Sequence, residues 1–291
     1  MTTKKILITG ANSYIGMSFE KWLSQWPDEY SVETVDMLDG SWRDQSFAGY
    51  DVVFHVAGIA HVSADPSKED LYYKINRDLA IETAEKAKAD GVKQFIFMSS
   101  AIVYGDPAPI GICKIITRNT PVSPTNFYGD SKVQAEIGLQ NLVSKNFKIV
   151  ILRPPMIYGK GSKGNYPVLT KIAQCVPVFP QVDNERSMLY VSNLAEFTRL
   201  MIVNEEEGIF WPQNAEYSNT SELVKMIATV HGKKVALVPG FQWSLKFISR
   251  ITRLVNKAFG NLVYEHSISK YKDEYRLYSL SDSIRETEND W

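Results

Sequence analysis

Lys4-Lys5-Ile6-Leu7-Ile8-Thr9-Gly10-Ala11-Asn12-Ser13-Tyr14-Ile15-Gly16 joins an apolar run to a glycine turn, and Phe19, Trp22, Leu23 and Trp26 follow at helical spacing. A short, unbroken apolar run is the pattern of a parallel strand covered on both faces. Gly10 permits a tight turn and Gly16 permits close packing of helix on strand. The helix N-terminus then faces a dinucleotide pyrophosphate. The middle glycine of a G-x-x-G-x-x-G pattern is missing, because Ser13 stands there. Its Cβ is expected to crowd or shift the phosphates. A purely structural strand–helix turn is the competing reading. A second apolar run, Val32-Glu33-Thr34-Val35, ends at Asp36. A carboxylate there accepts hydrogen bonds from an adenine ribose and repels a 2′-phosphate, which favours NAD over NADP. An ordinary loop aspartate is the alternative.

Outward from this unit the same alternation continues. Strands are expected near 4–9, 31–35, 51–56, 94–99 and 148–153, with helices at about 15–26, 67–89 and 124–144 between them. Such alternation implies a parallel sheet with helices on both faces. After Gly159 the pattern changes. A turn-rich basic loop (160–165) leads to a short helix (167–175), a proline-spaced stretch, a helix near 192–204 and a strand near 208–211. Asn219-Thr220-Ser221-Glu222 caps a helix running to His231. The expected division is a dinucleotide domain over 1–158, completed by about 187–211, and a smaller α+β substrate domain over 159–291.

Two stretches carry chemistry. Phe95-Ile96-Phe97-Met98-Ser99-Ser100 delivers two hydroxyls to the end of a strand, where ligands bind in open parallel sheets. Serines there are otherwise turn formers. Tyr128-Gly129-Asp130-Ser131-Lys132 lies on the helix expected from Pro124 to Ser144. Residues four apart share a helix face, so Tyr128 and Lys132 stand side by side. A neighbouring ammonium favours phenolate and lowers a phenol from its usual value near ~10. Such a pair acts as a general base toward an alcohol, with Ser100 holding the same oxygen.

With 291 residues the chain suffices for one large α/β unit or two joined domains. A net charge of -1 exerts no general pull toward nucleic acid. Cys113 and Cys175 match no metal or redox spacing and are expected as free thiols in a reducing cytoplasm. His55, His61, His231 and His266 form no ligand cluster, so no metal is expected; His55 reads as a packed core residue. The chain enters a strand at once, without a signal peptide, and no apolar run approaches the ~20 residues of a bilayer span. Residues 241–263 place Phe241, Leu245, Ile248, Ile251, Leu254 and Val255 at helical spacing among Lys246, Arg250, Arg253 and Lys257. That pattern fits a substrate-domain helix or a peripheral contact with an anionic membrane.

Taken together these residues resemble the extended short-chain dehydrogenase/reductase family, and within it the nucleotide-sugar epimerases, dehydratases and 4-keto reductases, with UDP-glucose 4-epimerase-like enzymes nearest. Gly10 to Gly16 resembles the T-G-x-x-G-x-I-G loop. Asp51-Val-Val-Phe-His-Val-Ala57-Gly58 resembles D-x-V-x-H-x-A-[AG], and Ser99-Ser100-Ala-Ile-Val-Tyr104-Gly resembles S-S-x-x-V-Y-G. Pro124 to Lys132 resembles P-x-x-x-Y-x-x-x-K with one extra residue. Arg153 to Gly159 resembles R-P-x-x-V-Y-G, and Arg186 to Ala195 resembles R-x-x-x-x-V-x-D-x-A with Asn193 for the aspartate.

The resemblance implies a Rossmann-type doubly wound sheet and catalytic Ser100, Tyr128 and Lys132. It implies NAD held by Gly10, Asn12, Ser13, Tyr14, Ile15, Gly16, Asp36, Trp42, Val56, Ala57, Gly58, Asn76, Ser99, Tyr128, Lys132 and Pro155. The nucleotide sugar is expected against Ser100, Ala101, Tyr104, Tyr128, Asn165, Arg186 and Arg276, the arginines facing its diphosphate. The implied reaction is 4-epimerisation of a UDP-hexose or UDP-N-acetylhexosamine by transient oxidation at C4. A 4-keto-sugar reductase and a non-catalytic dinucleotide sensor are the alternatives. Ala101-Ile102 stand where 4,6-dehydratases carry an Asp-Glu pair, which argues against dehydration. A cytoplasmic homodimer is the implied assembly.

Overall fold

A computed structural model describes residues 3–60, 65–241 and 259–289. In chain order the elements are β1 (Lys4–Thr9), α1 (Tyr14–Leu23), β2 (Tyr30–Val35), β3 (Val52–His55), α2 (Glu69–Tyr72), a π turn (Tyr73–Asp78), α3 (Leu79–Ala89), β4 (Gln94–Met98), β5 (Ile115–Ile116), α4 (Phe127–Gln140), β6 (Lys148–Leu152), β7 (Met156–Tyr158), α5 (Tyr166–Cys175), β8 (Val178–Pro180), β9 (Met188–Tyr190), α6 (Val191–Val203), β10 (Gly208–Phe210), α7 (Thr220–Val230), β11 (Ala236–Val238), β12 (Val263–Tyr264) and α8 (Leu280–Glu288).

The chain clusters into two compact units. The first comprises Met1–Gly105, Pro121–Pro154 and Leu194–Pro212. It holds a parallel six-stranded sheet in the order β10-β6-β4-β3-β1-β2. β1 pairs with β2 on one side and β3 on the other, so the strand order reverses there, and the carboxyl ends of β1 and β3 form a topological switch point. The core explains the sheet. Phe95, Phe97, Ile149 and Ile151 cover one face against Ala80, Ala84 and Ala87 of α3 and Ala135 and Leu139 of α4. Alanines on the facing helices let their backbones approach the sheet closely. At Gly138 a Cβ would fall 2.3 Å from Ile81 Cδ1, so the Ile81 side chain of α3 packs directly on the backbone of α4.

Three helices differ from the sequence expectation. α1 stops at Leu23, where Ser24 closes it through its N–H to Glu20 O. The expected 67–89 helix is interrupted by the π turn at 73–78, which carries Asn76 into the interior. α4 begins at Phe127, because Asn126 caps it by accepting the Gly129 N–H at 3.0 Å. Tyr128 therefore sits in its first turn.

The second unit comprises Asp106–Thr120, Pro155–Asn193 and Gln213–Trp291. A boundary at 158 assigns 106–120 to the first domain, whereas these residues cluster with the second unit. Three two-stranded parallel ladders, β7-β9, β8-β11 and β5-β12, and helices α5, α7 and α8 build it. Its polar core centres on Gln213 and Asn214. Gln213 bonds Ser187 Oγ (2.5 Å) and Ser269 Oγ (2.6 Å), and Asn214 bonds Tyr158 Oη (2.9 Å). Asn193, in place of the family's aspartate, donates to Asn214 Oδ1 (3.2 Å) and Tyr278 O (3.0 Å) while accepting from Tyr278 N (3.1 Å). A carboxylate has no proton for those two donations. Cys113 and Cys175 are exposed free thiols. Among the described residues no helix is long and apolar enough to cross a membrane. Most of the 241–263 stretch lies outside the described residues.

Candidate active site

At the end of β1 the chain turns through Gly10 with φ +90°, and a Cβ there would lie 3.0 Å from the backbone of Ala57. The ends of β1 and β3 therefore touch backbone to backbone. Asn12 also adopts a positive φ of 62°, which asparagine tolerates better than most residues. The first turn of α1 contains no acidic side chain, so its amides meet no carboxylate of their own helix. Ser13 caps the helix. Its Oγ folds back and accepts the Gly16 N–H at 3.1 Å as the N-cap. Tyr14 and Ile15 are half-buried in the first turn. Asp36 is exposed at the end of β2, with one oxygen accepting the Leu38 N–H at 2.9 Å. Close-packed glycines, a first turn without acidic side chains and an exposed strand-end carboxylate suit a dinucleotide, and NAD fits this cradle.

A second cluster lies at the end of β4. Ser100 caps the short turn 101–104 by accepting the Ile102 N–H at 3.3 Å, and its hydroxyl favours the charged form of the Tyr128 phenol. Ala101 is held by its N–H to Pro154 O at 2.9 Å. Gly129 makes the approach possible, since a Cβ there would fall 2.8 Å from Ile102 O. Lys132, 5% exposed, donates to Met98 O at 2.8 Å, and its ammonium lies 4.6 Å from the centre of the Phe97 ring. A Cβ at Gly58 would fall 3.5 Å from Lys132 Nζ and 3.0 Å from Asn76 Oδ1, so the loop after Val56 and Ala57 runs beside the lysine. Asn76, fully buried, grips that loop by accepting the Ile59 N–H (2.9 Å) and donating to Ile59 O (3.0 Å). His55 is a core residue as expected. Its Nδ1 lies 2.8 Å from Thr9 Oγ1, its ring stacks on Phe95 and Phe97, and burial and Lys132 push it down to about 3.

One electrostatic expectation is overturned. The Tyr128 phenol is pushed up to about 12 rather than lowered. Burial dominates, the Ser100 hydrogen bond opposes it, and Tyr72 adds to it. Lys132 is itself lowered to about 8 by burial, with Glu136 acting against that shift. The protein alone therefore holds a neutral phenol.

Several expected contacts take another form. Trp42 is fully buried, stacked near Phe47 in the hydrophobic core, so it offers no surface to a cofactor. Tyr104 is 2% exposed and its hydroxyl accepts from Arg153 Nη1 and Trp211 Nε1, both at 2.7 Å, which withdraws it from a substrate. The Ser99 hydroxyl is committed to the Glu136 carboxylate. Glu136 had no place among the expected residues, although it lies four residues beyond Lys132 on the Tyr128 face. Arg153 grips it through Nε to Oε1 (3.1 Å) and Nη2 to Oε2 (2.5 Å).

The remaining expected residues lie in the second unit. Pro155 is buried and Asn165 is exposed before α5. The Arg186 backbone pairs with Ser218, and burial lowers its guanidinium to about 10. Arg276 donates to Gln213 O (3.1 Å) and Ser269 O (2.9 Å), so its guanidinium also braces this unit.

Residues 6–210 match the NAD dependent epimerase/dehydratase family. The chain belongs to that family. It is an NAD-dependent enzyme of the extended short-chain dehydrogenase/reductase type. A UDP-glucose 4-epimerase of Vibrio cholerae is 27% identical over 294 aligned positions, covering 92% of this chain and 89% of that relative. The N-acetyl-alpha-D-glucosaminyl-diphospho-ditrans,octacis-undecaprenol 4-epimerase of Escherichia coli O157:H7 is 31% identical over 227 positions, 70% of this chain and 64% of that relative. The fold is shared with the UDP-glucuronic acid 4-epimerase of Bacillus cereus, solved in complex with NAD, at a TM-score of 0.71 and 18% identity over 97% of this chain and 94% of that one. Both of these curated relatives are named as 4-epimerases.

Proposed function

We propose that this protein is a nucleotide-sugar 4-epimerase that oxidises its substrate transiently at C4. The observation that carries the reading is that the Ser100 hydroxyl bears on the Tyr128 phenol, one helical turn from Lys132 and beside the Gly58 loop. Gly10, Gly16, Asp36, Ala57, Gly58 and Lys132 would hold the NAD. When bound, NAD supplies a reversible acceptor for the hydride of C4, and its positive nicotinamide favours the phenolate. Tyr128 takes the proton of the 4-hydroxyl and later returns it to the same oxygen, once the keto sugar has turned its opposite face toward the cofactor. Ser100 holds the same oxygen and polarises the keto state. The Lys132 ammonium favours the charged phenol. Arg186 is the guanidinium proposed for the diphosphate, since Arg276 is engaged by Gln213 O and Ser269 O.

UDP-hexoses and UDP-N-acetylhexosamines are the first substrates to try. The undecaprenol-linked relative is more nearly identical to this chain than the Vibrio cholerae enzyme, although over a shorter stretch. A lipid-diphosphate-linked hexosamine is therefore the second. The basic apolar spacing of 241–263 agrees with that substrate. Exposed Ile137 on α4, 55% accessible, supports a homodimer.

The test is to incubate the NAD-loaded protein with each donor and follow inversion at C4 by proton NMR, with Tyr128→Phe in parallel. Inversion by the wild type alone supports the reading. A protein that binds NAD and leaves every donor unchanged contradicts it.

A further inference from the structure

Three consecutive residues at the end of β4 are each taken by one residue of α4. Met98 O accepts from Lys132, Ser99 Oγ donates to Glu136, and the Ser100 hydroxyl bears on the Tyr128 phenol. On the helix the three partners stand at successive four-residue steps and share one face. Two of them are the working pair of the function proposed above, and the third has no role in it. Glu136 is 3% exposed and is held from behind by Arg153, which is fixed in turn by the Tyr104 hydroxyl. A carboxylate clasped on two sides keeps a single orientation.

The charges around Lys132 make that orientation matter. From β3 it faces His55, which burial keeps neutral. From β4 it faces the Phe97 ring and Met98 O, and from the loop above, Gly58 and Asn76. On its own helix stand Tyr128, a neutral phenol, and Glu136, with Arg153 behind it. Among these groups Glu136 is the one carboxylate. We infer that Glu136 is a positioning residue for the catalytic pair: pinned by Arg153 and Ser99, its carboxylate keeps Lys132 an ammonium and holds the end of β4 in register with Tyr128. The inference rests on the reading of Tyr128 and Lys132 given above.

The sign follows from the lysine. Burial already lowers Lys132 to about 8 and Glu136 opposes that fall. The ammonium exists below its pKa, so a step that needs it fails as pH rises through that value. Removing the Glu136 charge moves the failure to lower pH.

Glu136→Gln keeps the shape and an acceptor for Ser99 and removes the charge. Titration of isotope-labelled lysine by NMR in the cofactor-free protein, with Lys132→Met to assign the signal, reads Lys132 directly. Its midpoint should fall by about one pH unit or more. The alkaline limb of kcat should move the same way while KM for the nucleotide sugar changes less than about 3-fold. Glu136→Asp should return the midpoint toward wild type. An unmoved midpoint in a folded Glu136→Gln protein overturns the proposal.

If that protein does not fold, Glu136→Met/Arg153→Met removes both charges without stranding either one. The same downward midpoint supports the proposal and an unmoved one overturns it. Tyr128→Phe separates the two claims. An active Tyr128→Phe variant overturns the functional reading together with this inference. An inactive one with an unmoved Lys132 midpoint overturns the Glu136 role alone.

Discussion

The carboxyl ends of β1 and β4 belong to one sheet and are built in opposite ways. The end of β1 works through side chains that are missing. Gly10 lets the backbone of Ala57 come within 3.0 Å of where a Cβ would stand, and the one hydroxyl in the turn, Ser13, is folded back onto its own helix. The end of β4 works through side chains that are buried and tied. Met98 and Ser99 are bonded to one face of α4, and Ser100 bears on Tyr128 of that face, over a buried Arg153–Glu136 pair. A surface meant for phosphates needs close backbone and free amides. A surface meant to move a proton needs charged groups held still in a poorly solvated place. The first should be sensitive to added atoms and the second to lost hydrogen bonds.

The largest effect that bears on this contrast is Tyr128→Phe. It should lower kcat by ~10²–10⁴-fold while NAD is still retained, as judged by nucleotide released on denaturation, because a positioned acid–base group contributes that much. Arg153→Met comes next. It strands a carboxylate that is 3% exposed, and should lower stability by about 3–5 kcal/mol in denaturant unfolding. Replacing Glu136 by Met at the same time should restore much of the loss. Gly10→Ala forces a side chain to φ +90° against Ala57 and should remove about 1–2 kcal/mol of stability. NAD affinity, followed by calorimetric titration, should weaken as well.

A smaller effect is pH-dependent. In the cofactor-free protein Lys132 releases its proton near 8, whereas an unfolded lysine holds it to ~10.4. Between those values the unfolded chain binds more protons, so this residue makes stability rise with pH across the window. Lys132→Met should flatten that rise in urea midpoints measured across it. The smallest effect is Ser13→Gly. It exchanges one acceptable N-cap for another, and unfolding free energy should change by only a few tenths of a kcal/mol. A large gain in NAD affinity in that variant would show that Ser13 does crowd the phosphates.

Much of the sheet was legible because strands buried on both faces read as unbroken apolar runs. Ile6 to Ile8 and Phe95 to Met98 are buried at every position. The positions of Ser100, Tyr128 and Lys132 were legible for the same reason that they meet, since helical spacing fixes which residues share a face. Orientation was not. Trp42 and Tyr104 sit at expected positions with side chains turned into the core, because spacing along a chain carries no information about which side of a turn a ring will pack. The direction of the Tyr128 shift also escaped the sequence. A nearby lysine argues for lowering, but desolvation of both groups outweighs it, and burial is known only once the fold is built. Glu136 was visible as a fourth-residue step from Lys132. Its importance depends on Arg153, seventeen residues away and just past the end of β6.

The central claim is that the sugar is oxidised and reduced at C4 without exchanging its hydride with water. The most direct measurement is turnover of a nucleotide hexose carrying deuterium at C4, with the product examined by NMR and mass spectrometry. The account predicts inversion at C4 with the deuterium still on that carbon. Inversion with loss of the label to solvent would contradict it.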